Sequence, residues 1–578
     1  MRCFLLIYVC GASWQGKYCH FVDGKFIDKT PLSGFHLSMP EIKRIWGTLD
    51  PFYEPGPVLG RKVANIKFLH ALLKRDGFDE YHFFLADRGQ ASGLKKHLKA
   101  YFPALLEGER VRVFDRRELP KMLGETDYHC FHLSDCITTQ PHMARLRNRY
   151  SREIFPITGL IHSLSYSDFG GAFLRHLWSG TTLRDGIVCT SEPGRQVVEQ
   201  FFGWQRESYN LSEDNFPAPS LPRIPLAVDV VEFLAVEPRE SGPVRLLVFG
   251  RISHHSKMDL LPLVRALHRL IADGMEPEAV ELILAGWGDD DDDFLPSLKD
   301  YIKNVGVPLT LKLRPSEDEK IALFQSADIF ISIADNPQET FGITLVEAGA
   351  FCLPVIASEY DGYRDIVVDG KTGLLVPTMG AEETPDADML APVIFDNQYH
   401  LLLSQRTVVE IPALAEALKR LIDSPEERRA MGEAARKRVE ERFSWPVVME
   451  QYISLWDDLW RYQVDAEALR DTPHPQAMPF GRLFGHYTTR TLASDTLLKA
   501  GRTGEAFYRG RDYPTLYSGM TMTIDPEVAK MLVFLARKSI DSASLIRKLI
   551  QVEPSLDENS AKNHMLWALK HDILEHVK

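Results

Sequence analysis

Two stretches of this 578-residue chain hold side chains whose types and spacing could do chemistry. The first, ADNPQETFGITLVEAGAF, places Glu339 and Glu347 eight positions apart. It reads as a strand end, a loop, and a helix beginning near Gly342, so Glu339 falls at the carboxyl end of a strand, where open α/β sheets bind ligands. Glu347 lies about five residues into the helix, roughly 7 Å deeper along its axis. The two carboxylates can therefore hold different parts of one extended ligand. Between them, the helix start offers backbone N–H groups without carbonyl partners, and Gly342 allows close approach; a phosphate fits such a place. The second stretch, GRISHHSKMDLL, follows the apolar run RLLVF and sets Arg251 and Lys257 six positions apart in a loop entering a helix. Two cations converging on one cleft would neutralise a diphosphate leaving group as its charge develops. Two solvated surface cations are the alternative reading.

The elements that must position these residues come in two series. From Met1 to about Phe233, short apolar runs (FLLIYV, YHFFLA, CFHLS, FPITGLIHS, DGIVCTS) alternate with amphipathic stretches such as VANIKFLHALLKRDG and GRQVVEQFF. That is the pattern of a parallel sheet covered by helices on both faces. After the polar VEPRESGP a second series begins: RLLVFG, then LLPLVRALHRLIADG, VELILAG and ADIFISIAD, closed by LAEALKRLIDSP and EERRAMGEAARKRVEERFSWP. Residues 378–410 carry few regular helix or strand signals and read as an inserted loop or small subdomain. Beyond the Pro-rich DTPHPQAMPFG, a mostly helical tail reads as a separate module, a small bundle or a winged-helix-like unit.

A net charge of −13, from 67 Lys+Arg against 80 Asp+Glu, argues against binding nucleic acid through a general basic field. Seven cysteines without paired CxxC units suggest neither a disulfide framework nor a structural zinc site. Cys189 and Cys352, in apolar stretches, read as core residues rather than nucleophiles. The acidic run Asp289–Asp293 reads as a solvated loop, and His254 with His255 has no third ligand nearby for a metal. The apolar start, MRCFLLIYVCG, is short for a signal peptide and has the length of a first buried strand. No uninterrupted apolar run of about 18 residues follows it, so the expectation is a cytoplasmic protein with at most peripheral membrane contact.

Together, Arg251 and Lys257 at this spacing, ETFGITLVE, the VDG-KTGLLVP turn and the closing RFSWP resemble the family-4 retaining glycosyltransferases of the GT-B fold, over about 244–456. The resemblance implies an α/β fold of two Rossmann-like domains facing across a cleft. An N-terminal acceptor domain would span 1–235 and a nucleotide-sugar-binding domain 236–445, with 378–410 inserted; a crossover helix over 446–465 and a helical accessory module over 466–578 would follow. It implies that Arg251 and Lys257 meet the donor diphosphate, that Glu339 meets the sugar near its reacting carbon, and that Glu347 meets the ribose hydroxyls. Phe341, Gly342 and Ile343 would offer backbone N–H groups to the sugar hydroxyls and phosphate. His162, in GLIHSLSY, looks like the family's histidine that points into the sugar pocket, and a satisfied structural histidine is the equal alternative. The family's Gly-rich phosphate loop is matched only by CGASWQGKY, with Gly16 its best candidate.

The expected activity is transfer of a sugar, with retention and without metal or cofactor, from a nucleotide diphosphate-sugar co-substrate to a glycan, peptide or protein acceptor. A GT-B sugar phosphorylase, a nucleotide-sugar epimerase and a non-catalytic binding protein are the alternatives. The tail is read as stabilising the enzyme or building a homo-oligomer, with acceptor recruitment as its rival role.

Overall fold

The computed structural model describes residues 43–53, 60–230, 242–288, 294–394, 397–517 and 519–577. The apolar start, Gly16 and Asp289–Asp293 lie outside the described residues. The chain divides into two compact units, Met1–Pro475 and Gln476–Lys578.

Among the described residues, the first unit contains two six-stranded parallel sheets. One comprises β1 (Ile45–Thr48), β2 (Glu80–Leu85), β3 (Val111–Asp115), β4 (Cys130–Leu133), β5 (Ile157–Leu160) and β6 (Asp185–Val188), in the order β3-β2-β1-β4-β5-β6. The other comprises β7 (Val244–Arg251), β8 (Val280–Trp287), β9 (Leu309–Leu313), β10 (Ile329–Ser332), β11 (Val355–Ser358) and β12 (Gly373–Val376), in the order β12-β11-β10-β7-β8-β9. Each order is that of a dinucleotide-type sheet, with the first strand beside the fourth. The two Rossmann-like domains of the GT-B fold are thus present. The strand at the centre of the first sheet is β1, IWGT, fully buried and paired with β2 and β4.

Inner strands read as continuous apolar runs because helices cover both faces. IFIS of β10 and VIAS of β11 are buried at every position, whereas the edge strands β3 and β9 stay partly exposed. Two apolar clusters flank the second sheet. One holds Leu246, Leu282, Ile331 and Leu418; the other holds Phe249, Phe330, Val346 and Val439.

The helix Trp445–Leu459 returns to the first domain. Val448, Met449, Tyr452 and Trp456 join its core, and Trp456 Nε1 donates to Thr158 Oγ1 at 2.9 Å. Before this helix, Val228 N–H donates to the Phe443 carbonyl at 2.9 Å.

Residues 378–410 are more regular than their sequence suggests. Thr378–Met379 pairs antiparallel with Val408–Val409 and closes off two short helices, Pro385–Leu390 and Asn397–Ser404. Helices of under three turns carry too few residues to display a periodic apolar face.

The unit Gln476–Lys578 has its own apolar core, with Leu532, Leu545, Leu549 and Met565 at its centre. Its main helices, Pro526–Leu535, Ser542–Val552 and Glu558–Lys570, accompany a three-stranded antiparallel sheet of Ile540–Asp541, Leu497–Ala500 and Leu574–His576. The mostly helical module is thus closer to a winged-helix-like unit than to a plain bundle. Among the described residues, no helix is long and apolar enough to cross a membrane.

Candidate functional site

β7 and β10 are neighbours in the second sheet, with Leu246 opposite Ile329 and Leu247 opposite Phe330, so the loops leaving their carboxyl ends meet. From β7 comes the loop 252–260, with Arg251 as the last strand residue. From β10 comes the loop 333–342, which leads into the helix Ile343–Ala350.

Lys257 Nζ and Glu339 Oε2 form an ion pair with side chains 15% and 12% exposed. The other Glu339 oxygen accepts the Thr340 and Phe341 N–H groups, both at 3.3 Å, and the Tyr363 hydroxyl donates to Oε2 at 3.3 Å. Burial alone would raise the Glu339 pKa, but the Lys257 charge and these hydrogen bonds overcome it and hold the carboxyl below its ordinary value. The carboxylate is thus kept ionised inside the cleft.

Gly342 caps the helix with φ 101°, a left-handed conformation in which a Cβ would run into the Tyr363 ring. The helix is apolar nearly all round because it is sandwiched. Leu345, Val346 and Ala348 are buried, and Gly349 packs against Val439 and Ala435 of the helix Pro425–Arg442. The amides of Gly342, Ile343 and Thr344 stand at its first turn, where the helix supplies no upstream carbonyl. The Phe341 amide, expected to face sugar or phosphate, is instead donated to Glu339, and its ring is buried edge-on to Phe443, with centroids 6.1 Å apart.

Arg251 is exposed at the end of β7, and its Nη1 donates to Ser256 Oγ at 3.2 Å, so it is tied to the loop 252–260 that carries Lys257. Glu347 is turned away from Glu339: its Oε1 accepts Lys320 Nζ at 2.7 Å, and both side chains are 12% exposed. His162 is half-buried after β5, where its Nε2 meets the Ser134 carbonyl at 2.7 Å. Ser134 is held in turn by Asp50, whose Oδ2 accepts its N–H at 2.8 Å and its hydroxyl at 2.9 Å. The residue after His162, Ser163, reaches the second domain by donating to the Gln338 carbonyl at 2.7 Å. Cys189 is buried, which pushes its thiol up to about 12, and Cys352 is half-buried.

Sequence reasoning missed several groups here. Asp335, 3% exposed, accepts the Asp259 N–H through both oxygens at 3.3 and 3.2 Å and ties the two loops together; burial raises its pKa to about 8. Asn336 Nδ2 donates to the His255 carbonyl at 3.0 Å. Asp361 is raised to about 8, first by burial and then by the Glu339 charge. The only advance signal for Asp335 was its place at the end of an apolar strand. Arg251, Lys257, Glu339 and the helix start are thus drawn to one sheet edge, while Glu347 and His162 lie on either side with partners of their own.

Residues 232–396 match the profile of the family described as Glycosyl transferases group 1. The chain is similar to the phosphatidyl-myo-inositol mannosyltransferase of Mycolicibacterium smegmatis, 29% identical over 276 residues covering 46% of this chain and 62% of that protein. It is also similar to the alpha-maltose-1-phosphate synthase of the same organism, 24% identical over 301 residues covering 48% and 69%. The chain therefore spans about two thirds of the length of these curated relatives. Among solved structures, Anabaena Alr3699/HepE in complex with UDP-glucose matches 72% of this chain and 100% of that one, with 16% identity and a TM-score of 0.45.

Proposed function

From the match of residues 232–396 to the glycosyl transferases group 1 family, we propose that this chain is a member of it and transfers a sugar from a nucleotide diphosphate-sugar to an acceptor hydroxyl, retaining the anomeric configuration. The observation that carries this reading is the buried Lys257–Glu339 pair at the start of the helix Ile343–Ala350.

The donor diphosphate sits at the helix start, where the amides of Gly342 and Ile343, Lys257 and Arg251 take up its charge. The bond from the sugar's anomeric carbon to the diphosphate oxygen breaks, and a bond from that carbon to the acceptor oxygen forms on the same face. The acceptor's proton goes to the departing phosphate oxygen. Glu339, kept ionised, faces the sugar and supports its developing positive charge, so catalysis is mostly positioning and electrostatics. Two cations and a helix terminus meet the diphosphate charge without calling for a metal. Glu347 offers the ribose hydroxyls the oxygen that Lys320 does not hold. The first domain takes the acceptor, a glycan or a peptide or protein chain, the C-terminal unit stabilises the enzyme or builds a homo-oligomer, with acceptor recruitment as its rival role, and the enzyme works in the cytoplasm.

The test is release of free nucleoside diphosphate from UDP-glucose, UDP-galactose, UDP-N-acetylglucosamine and GDP-mannose, with and without acceptors. Transfer liberates it stoichiometrically; an epimerase or a phosphorylase does not. Arg251→Ala should cut turnover far more than it lowers the melting temperature, and full activity in that variant removes Arg251 from the diphosphate.

A further inference from the structure

The carbonyls on either side of Glu339 are both held from the other domain. Ser163 Oγ donates to the Gln338 carbonyl at 2.7 Å, and Ser191 Oγ donates to the Thr340 carbonyl at 2.6 Å. Ser163 follows β5 and Ser191 follows β6, so the carboxyl edge of the first sheet grips the loop at the carboxyl edge of the second.

The Ser191 hydroxyl has no freedom about where its proton goes. It caps the helix Glu192–Tyr209 by accepting the Gly194 N–H at 3.1 Å, which leaves its single proton for Thr340. The next residue strengthens the grip: Glu192 N–H donates to Asp365 Oδ2 at 2.5 Å, and Arg223 lies 3.7 Å from Glu192 and 3.6 Å from Asp365. Beside Ser163, Ser165 Oγ meets His400 Nε2 of the inserted segment at 2.8 Å, and the Tyr166 ring stands edge-on to the His400 ring with centroids 5.0 Å apart.

A loop fixed at one residue can still rotate its peptide planes. A loop held at the carbonyls of the residues before and after Glu339 has far less freedom to do so, and the side chain between them inherits a narrower range of directions. We infer that Ser163 and Ser191 are positioning residues: when the two domains close, their hydroxyls clamp Gln338 and Thr340 and set the Glu339 carboxylate against the sugar. When the domains part, both carbonyls turn to water and that setting is released. Closure would then complete the catalytic arrangement as well as exclude water. The inference rests on the transferase reading above and extends it by saying how the first domain takes part in chemistry carried by the second.

The experiment uses the full chain with the four nucleotide sugars named above, nucleoside diphosphate release as the readout, and kcat and KM determined separately. Ser163→Ala and Ser191→Ala should each lower kcat about ten-fold, because displacing a catalytic group by a fraction of an ångström costs on that order. KM and the thermal shift given by UDP or GDP should stay within about two-fold of wild type, because the nucleotide's contacts lie in the second domain. Ser163→Thr and Ser191→Thr keep the hydroxyl and should restore most of kcat. In a Glu339→Gln background, removing either hydroxyl should cost less than about two-fold more, since the serines act through Glu339.

Alanine variants with wild-type kcat, or a full ten-fold loss repeated in the Glu339→Gln background, would overturn the inference. Ser191→Ala also removes a helix cap, so a collapse of its melting temperature shifts the decision to Ser163→Ala and the threonine variants. A wild-type chain inert toward every donor is a different result: it brings down the transferase reading itself, and the inference with it.

Discussion

Replacing Lys257 with Met tests the centre of the site through stability as well as activity. The change removes one partner of an ion pair whose side chains are only 15% and 12% exposed. Removing one member of a buried pair costs about 3–5 kcal/mol, because the charge left behind stays desolvated. Glu339 keeps the Thr340 and Phe341 amides and the Tyr363 hydroxyl, each at a long 3.3 Å, so the loss at neutral pH should fall near the lower figure.

The sign of the pH dependence is fixed by the same geometry. In the wild type the folded Glu339 pKa lies below the unfolded value of 4.5, so the pair's contribution is fully present above 4.5 and fades as pH falls through the folded value. Without Lys257, burial dominates and the folded pKa rises above 4.5. The variant then loses stability as pH climbs from there. The gap between wild type and Lys257→Met should therefore be widest near pH 7.5 and shrink toward pH 5. Adding Glu339→Gln should recover most of it, since a neutral amide needs no counter-ion.

Urea unfolding of wild type, both single variants and the double variant at the two pH values measures this directly. A gap equal at both pH values, or a double variant as unstable as the sum of the singles, would refute the reasoning. Turnover should fall about 10²- to 10³-fold in Lys257→Met, as for loss of one preorganised charge-stabilising donor, and should stay low in the stabilised double variant.

Two further perturbations address the frame around the pair. Gly342→Ala imposes a Cβ at φ 101° against the Tyr363 ring, costing about 1–3 kcal/mol in backbone strain before the clash is counted; the thermal shift given by UDP or GDP should disappear while the far-UV circular dichroism spectrum keeps its wild-type shape. Asp335 carries a folded pKa of about 8 against 3.8 unfolded, so the wild type should lose stability as pH rises between these values; Asp335→Asn, which keeps an acceptor for the Asp259 N–H, should flatten the melting-temperature profile over that window.

The α/β architecture was legible because inner parallel strands must be apolar on both faces; YHFFL, LLVF and IFIS announce themselves. The edge strands were not: VRVFD of β3 and LTLKL of β9 have one neighbour each and keep polar side chains facing water, so no continuous run marks them. The strand IWGT at the centre of the first sheet was hidden by its four-residue length. At the candidate site, Lys257, Glu339 and Gly342 were visible because strand-loop-helix order and residue type place them locally. The partners that tune them were not, since Asp335, Tyr363, Ser163 and Ser191 act across loops or across domains. Lys320 beside Glu347 is the same case: the pair is 27 positions apart in sequence and 2.7 Å apart in space.

The most direct test of the central claim is a crystal structure with UDP or GDP bound. The account predicts the diphosphate at the start of the helix Ile343–Ala350, with oxygens about 3 Å from Lys257 Nζ, the Arg251 guanidinium and the amides of Gly342 and Ile343. A nucleotide seated away from that helix start, with Lys257 still paired to Glu339 and Arg251 in solvent, would contradict it.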